Sequence, residues 1–184
     1  MRKSFKAFTL VEMLIVMGII IILMAVGITA GRFAINRAND VAHRNAVDNF
    51  YTAAQAYYAD NRVFPAFENF NLALNTPDDD NDDIGKYMDD GAFDGGTKAT
   101  YYYVTDSLDQ EVLICVSLYG SAVEDAAREG EFYCNGNAFG STNITGLNII
   151  SDKVVPKEDG HTSPAGATFS VSQEWDGDDW GGLN

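Results

Sequence analysis

Between Met13 and Gly31 the chain carries no charged side chain, and Glu12 stands directly before that run, in the stretch K-A-F-T-L-V-E-M-L-I-V-M-G of residues 6–18. Nineteen residues at the helical rise extend about 28 Å, close to the hydrocarbon thickness of a bilayer. The run is therefore read as a membrane span. Arg2, Lys3 and Lys6 precede it, and the positive-inside tendency then keeps the leader in the cytoplasm and sends the remainder outward. Arg32 and Arg37, on the far side, pull weakly against that orientation. The competing reading is a secretory signal peptide, whose apolar core of roughly 7 to 15 residues ends at a small-x-small cleavage site. This core is longer, an acid interrupts its start, and Ile28-Thr29-Ala30 makes a poor site. Acids inside a span are costly and usually functional, which makes Glu12 the first candidate functional residue.

The helical pattern continues past Gly31. No proline interrupts residues 32–61, and Ala38, Val41, Ala42, Ala46, Phe50, Ala53, Ala54 and Tyr57 recur at three- and four-residue steps, one apolar stripe. Arg37, Asp40, Arg44, Asp48 and Gln55 mark the opposite, polar face. Asn61 as a C-cap and Pro65 as a stop close the segment. A helix from Phe8 to Asp60 would extend about 80 Å, a rod that few monomeric proteins need. Gly27 and Gly31 give a G-x-x-x-G spacing late in the span, suited to close helix approach or to local flexibility.

The segment Lys6-Ala7-Phe8-Thr9-Leu10-Val11-Glu12-Met13-Leu14 resembles the prepilin signal of type IV pilins and type II secretion pseudopilins. It has the short basic leader, a small residue, an aromatic, then a glutamate five places into the mature chain. A-Q-A-Y-Y-A-D-N-R-V-F-P, residues 54–65, is similar to the end of that family's spine helix. The likeness covers roughly the first 65 residues, and Ala7 departs from it by standing where the family usually has Gly.

The resemblance implies that a membrane-embedded aspartyl prepilin peptidase cuts between Ala7 and Phe8 and methylates the new amino group of Phe8, this chain being the substrate. It also implies that Glu12 of one subunit meets the Phe8 amine of a neighbour, neutralising two charges that would each be costly alone in an apolar bundle. The partners implied are the peptidase, copies of this chain and other pilins, and an inner-membrane assembly platform, with lipid around the span before assembly. Many members melt part of the helix with the help of a proline; none is present here. The plainer alternative for Glu12 is an interfacial residue that snorkels toward head groups.

Beyond Pro65 the pattern turns mixed. Thr100–Thr105 (T-Y-Y-Y-V-T) and Val112–Leu118 are rich in aromatic and β-branched residues and predict strands. A third is expected near Glu131–Cys134 and a fourth near Asn148–Ser151, with a brief helix or turn over Ser121–Glu129 ended by Gly130. The fold class expected is α+β: a long N-terminal spine helix packed on a small antiparallel sheet, as in the pilin family. The boundaries expected are leader 1–7, membrane half of the helix 8–31, amphipathic half 32–62, and head 63–184 with an acidic loop at 77–90 and a flexible C-terminal tail. Tyr101–Tyr103 read as core and sheet surface. Cys115 and Cys134, the only cysteines, lie outside the membrane in strand-like contexts, so a bridge between neighbouring strands is expected, two buried thiols being the alternative.

The head is strongly acidic. Without the leader the chain has 9 basic against 27 acidic residues, which argues against nucleic acid as a direct partner, since phosphate binding needs clustered Lys and Arg. Within T-P-D-D-D-N-D-D-I-G-K-Y-M-D-D, residues 76–90, Asp78, Asp80, Asp82 and Asp89 fall at positions 1, 3, 5 and 12 of a calcium loop, with the Ile84 carbonyl at position 7. Asp83 stands where Gly is expected and the twelfth residue is the shorter acid, so a solvated acidic loop is the alternative. W-D-G-D-D-W-G-G, residues 175–182, offers calcium ligands or, through Trp175 and Trp180, a sugar platform; its place at the chain end also fits a flexible tail. No nucleophile motif surrounds His43 or His161, both read as surface histidines, and no enzyme is expected. Asn143-Ile144-Thr145 matches a glycosylation triplet by chance. The function expected is a type IV pilin-like structural subunit, inserted as a single-pass cytoplasmic-membrane precursor with its head outside and polymerised into a cell-surface pilus. The rivals are a type II secretion pseudopilin and a membrane-anchored calcium- or carbohydrate-binding module.

Overall fold

With no proline between Leu10 and Asn61, nothing in the sequence stops a helix, and α1 occupies the whole of Leu10–Asn61. The computed structural model describes residues 9–65, 84–88, 92–93, 99–118, 131–144, 147, 150–156, 164 and 168–175. Two compact units make up the chain, Met1–Arg37 and Ala38–Asn184, so residues 10–37 of α1 belong to the first and 38–61 to the second.

α1 ends through side-chain chemistry. Asn61 Nδ2 donates to Tyr57 O at 3.1 Å, and Arg62 takes the left-handed conformation (φ 66°) with its N–H on Tyr58 O at 2.8 Å. Asn61 is thus the C-cap, as expected, and the left-handed residue is Arg62, directly after it. Arginine is an unusual choice there, and tertiary contacts hold it: Gln110 Nε2 donates to Arg62 O at 3.0 Å, while Tyr58 OH donates to Gln110 Oε1 at 2.7 Å. The chain then fastens to the same turn, Phe64 N donating to Asp109 O at 2.7 Å, and the Tyr103 hydroxyl donating to Pro65 O at 2.5 Å.

Five antiparallel strands form one sheet: β1 (Ala99–Thr105), β2 (Val112–Leu118), β3 (Glu131–Gly136), β4 (Val154–Pro156) and β5 (Val171–Trp175), in the order β4-β3-β2-β1-β5. Strand alternation sorts the side chains to two faces. Ala99, Tyr101 and Tyr103 of β1, Val112, Ile114, Val116 and Leu118 of β2, and Tyr133 of β3 pack with Ala46, Val47, Phe50, Ala53 and Ala54 of α1. On the other face Tyr102, Val104, Leu113, Cys115, Phe132 and Cys134 are covered by Ala138, Ile144, Leu147, Ile150 and Val155. Burial on both faces explains why β2 reads V-L-I-C-V-S-L without polar alternation. Its one polar side chain, Ser117, is buried and accepts from Thr100 N at 2.7 Å. Cys115 and Cys134 face each other across β2 and β3 and are bridged, as expected. The long helix on a small antiparallel sheet is the α+β arrangement read from the sequence.

Four expectations need correction. The buried stripe of α1 holds Ala46, Phe50, Ala53, Ala54 and Tyr57 as expected but differs at its start, where Val41 is 50 % exposed, and it takes in His43 (2 %) and Val47. His43 is therefore not a surface residue. Its Nδ1 lies 2.9 Å from the Tyr101 hydroxyl, and a buried polar group with such a partner is tolerated. Second, the polar face partly meets β3. Asp48 accepts from Tyr133 OH at 2.9 Å and Asn135 Nδ2 at 2.6 Å, and the Arg44 guanidinium lies 5.4 Å from the centre of the Tyr133 ring. The Arg44–Glu131 ion pair, 3.9 Å between half-exposed groups, contributes at most about 1 kcal/mol. Third, β4 begins at Val154, beyond the expected 148–151; Ile150 and Ser151 lie outside any strand, Ile150 closing a turn through its N–H on Leu147 O at 3.0 Å. Fourth, β5 was not anticipated, because V-S-Q-E-W has few strand formers and gains its form by pairing with β1. The expected helix or turn at 121–129 lies outside the described residues.

The β1–β2 turn is held by Asp106, whose Oδ1 accepts from Gln110 N (2.6 Å) and Glu111 N (2.9 Å). At the end of β3, Gly136 (φ 157°) lets the backbone close on β2: a Cβ there would sit 2.2 Å from Val112 O. A fragment beginning at Ala38 with Gly136→Ala should lose at least about 2 kcal/mol of stability in denaturant titration, because the clash is with backbone.

Burial holds the Tyr101 and Tyr103 hydroxyls well above their ordinary value, and burial followed by the Asp48 hydrogen bond pushes Tyr133 up to about 12. The folded state therefore keeps these protons more tightly than the unfolded chain, whose tyrosines titrate near 10. Their stabilisation is complete below about pH 10 and is lost as pH rises toward about 12. Absorbance of tyrosinate and circular dichroism of the same fragment should change together in that window; ionisation of all tyrosines near pH 10 with the fold intact would contradict this.

Candidate functional site

The first turn of α1 is closed by two residues acting on each other. Thr9 N donates to Glu12 Oε2 at 2.8 Å, Thr9 Oγ1 donates to the same oxygen at 2.9 Å, and Glu12 N reaches Thr9 Oγ1 at 3.3 Å. This is a capping box, in which an N-cap threonine and a glutamate three residues on satisfy each other's orphan donors, and the carboxylate also meets the positive end of the helix dipole. The sequence reading took Glu12 for its charge and missed this second use, although T-L-V-E has the required spacing. Both hydrogen bonds to the carboxylate fall on Oε2, which leaves Oε1 as an acceptor for a group outside the described residues.

Below that cap the helix is bare. Every large apolar side chain from Leu10 to Ile28 is between 43 % and 79 % exposed, and none of this stretch is buried among the described residues. The segment is long and apolar enough to cross a membrane. A helix apolar all round needs an apolar medium on every side. Among the described residues nothing lies within 4 Å of a Cβ built at Gly27 or Gly31, which leaves the G-x-x-x-G open to contacts between chains.

The remaining candidates are scattered or undescribed. Ala7 and Phe8, the expected cleavage pair, lie outside the described residues, as do Asp78, Asp80, Asp82 and Asp89 of the acidic loop, His161 and Trp180. Ile84, the expected seventh position of that loop, begins a 3-10 turn (Ile84–Tyr87) and buries its side chain in the core beneath α1. Among the described residues no group of three or more His, Cys, Asp or Glu gathers as a metal site. Trp175 ends β5, its backbone paired with Ala99. Asn143 is exposed and donates through Nδ2 to Glu111 Oε1 at 3.1 Å; Glu111 also accepts from the Ser141 hydroxyl.

Compared with known families, residues 2–28 match the prokaryotic N-terminal methylation motif. That motif is the prepilin signal of type IV pilins and pseudopilins, and the chain carries it over the leader, the Thr9–Glu12 cap and most of the bare helix. Neither the curated proteins nor the solved structures compared with the chain gave a match.

Proposed function

We propose that the chain is a type IV pilin-like structural subunit. It is cut between Ala7 and Phe8 by a prepilin peptidase, methylated at Phe8, and polymerised through α1 into a surface filament. The observation that carries this reading is the bare helix directly below a capped glutamate, at the processing motif. In lipid the precursor's apolar surface is covered; once drawn from the membrane, only other apolar helices can cover it. Cutting after Ala7 places an ammonium group four residues before Glu12, on the same helical face. Oε1 of Glu12 then accepts the Phe8 amine of a neighbouring copy and fixes the register of assembly. A pseudopilin of a type II secretion system shares the same motif and helix; recovery of sheared extracellular filaments separates the two, since a pseudopilus stays in the periplasm beside a secretin.

Mass spectrometry of the native product should find a chain beginning at Phe8 with one added methyl group; a product beginning at Met1, or after the apolar helix, would refute the reading. Glu12→Ala should insert normally and lower filament yield severely. Glu12→Gln separates the two uses of the residue, because glutamine serves in a capping box but carries no charge. The register role requires Glu12→Gln to assemble as poorly as Glu12→Ala, and wild-type yield from it would reduce Glu12 to a cap.

A further inference from the structure

Between Glu12 and Asp40 the chain has two charged side chains, Arg32 and Arg37, both exposed and neither in an ion pair among the described residues. From Ala38 onward it has 26 acidic against 7 basic residues. We infer that Arg32 and Arg37 form an interaction surface that docks on the acidic head of a second copy of this chain, an inference that rests on the polymer reading above.

The charge separation along one molecule is what points to another copy as the occupant. Heads this acidic repel one another when brought together. A guanidinium remains charged in any surroundings a protein offers, and where apolar helices crowd together it is costly without a carboxylate beside it. Each deficit is relieved by the other when two molecules meet. Arg32 and Arg37 are about 140° apart around a regular helix, so they face two different neighbours rather than one. A contact between Arg32 and Arg37 of one copy and the head of another joins surfaces made of different residues, so it is heterologous, and a heterologous contact that does not close into a ring propagates as an open helical polymer. Anionic lipid is the competing partner. It is disfavoured because the orientation puts both arginines on the exported side, whereas the anionic surface potential belongs to the cytoplasmic leaflet.

The test uses the full chain made together with its own assembly machinery. Arg32→Glu/Arg37→Glu should reach the membrane and be processed as wild type, with filament yield reduced by roughly tenfold or more, whereas Arg32→Lys/Arg37→Lys should stay within about twofold of wild type. A photo-crosslinking amino acid at Ile35, 61 % exposed and between two intact arginines, keeps the inference testable should the reversed variant fail to insert. Its expected product is a covalent dimer mapping to acidic segments beyond residue 38 of the second chain. Adducts to lipid alone in assembled material would overturn the inference, as would wild-type yield from the charge-reversed chain. If wild type forms filaments and Glu12→Ala does not, such results overturn this inference alone; absence of wild-type filaments overturns the polymer reading and this inference with it.

Discussion

An apolar helix that no other described residue covers sets the terms for the rest of the protein. From Leu10 to Ile28 no large apolar residue is buried, and water is not a stable surrounding for such a surface. The helical backbone satisfies its own hydrogen bonds, which is what makes a lipid environment acceptable. The exceptions are the first four N–H groups, which have no partner within the helix. Thr9 and Glu12 relieve that end by binding each other, so the most polar residue of the stretch belongs to the solution of a backbone problem as well as to a charge problem.

The second unit solves the opposite problem, that of finding enough cover for one sheet. β2 is buried on both faces, by α1 on one side and by the chain from Ala138 to Val155 on the other. Polar groups inside this core are individually partnered: His43 with Tyr101, Ser117 with the Thr100 amide, Asp106 with two turn amides, Asn135 with Asp48. Because each such group would be costly without its partner, these pairs constrain where α1 can sit on the strands. The disulfide between Cys115 and Cys134 adds a covalent tie between β2 and β3 on the face away from the helix. The Arg62, Gln110 and Tyr58 contacts join the end of α1 to the β1–β2 turn.

Legibility in the sequence followed the physics of each element. The helix was readable because an uncharged run without proline leaves little choice, and β1 and β2 because aromatic and β-branched runs of seven residues have few other uses. The entry of His43 into the buried stripe was not readable, since it depends on a hydroxyl: Tyr101, 58 residues away in sequence, supplies its partner. Asp48 left the expected solvent face for the same kind of reason, through Tyr133 and Asn135. β5 has little strand propensity of its own and exists because β1 has a free edge to pair with. At the candidate site, Glu12 is legible through its cost in an apolar run, while the role of Thr9 is legible only in the local hydrogen-bond pattern that the four residues T-L-V-E spell out.

The capping box bears on why the residue at position 12 is glutamate. Capping and pairing with a neighbour's amine need not compete, because an ionised carboxylate has about four acceptor sites and Thr9 engages only one of its two oxygens. Glutamine would satisfy Thr9 and leave the amine unneutralised. Aspartate would keep the charge on a side chain one methylene shorter, less able to reach back to the cap. An apolar residue would suit the surrounding helices and abandon both partners. In the proposed filament, a single side chain at the top of the span must therefore be long enough to close its own helix and charged enough to hold the next one, and glutamate meets both conditions.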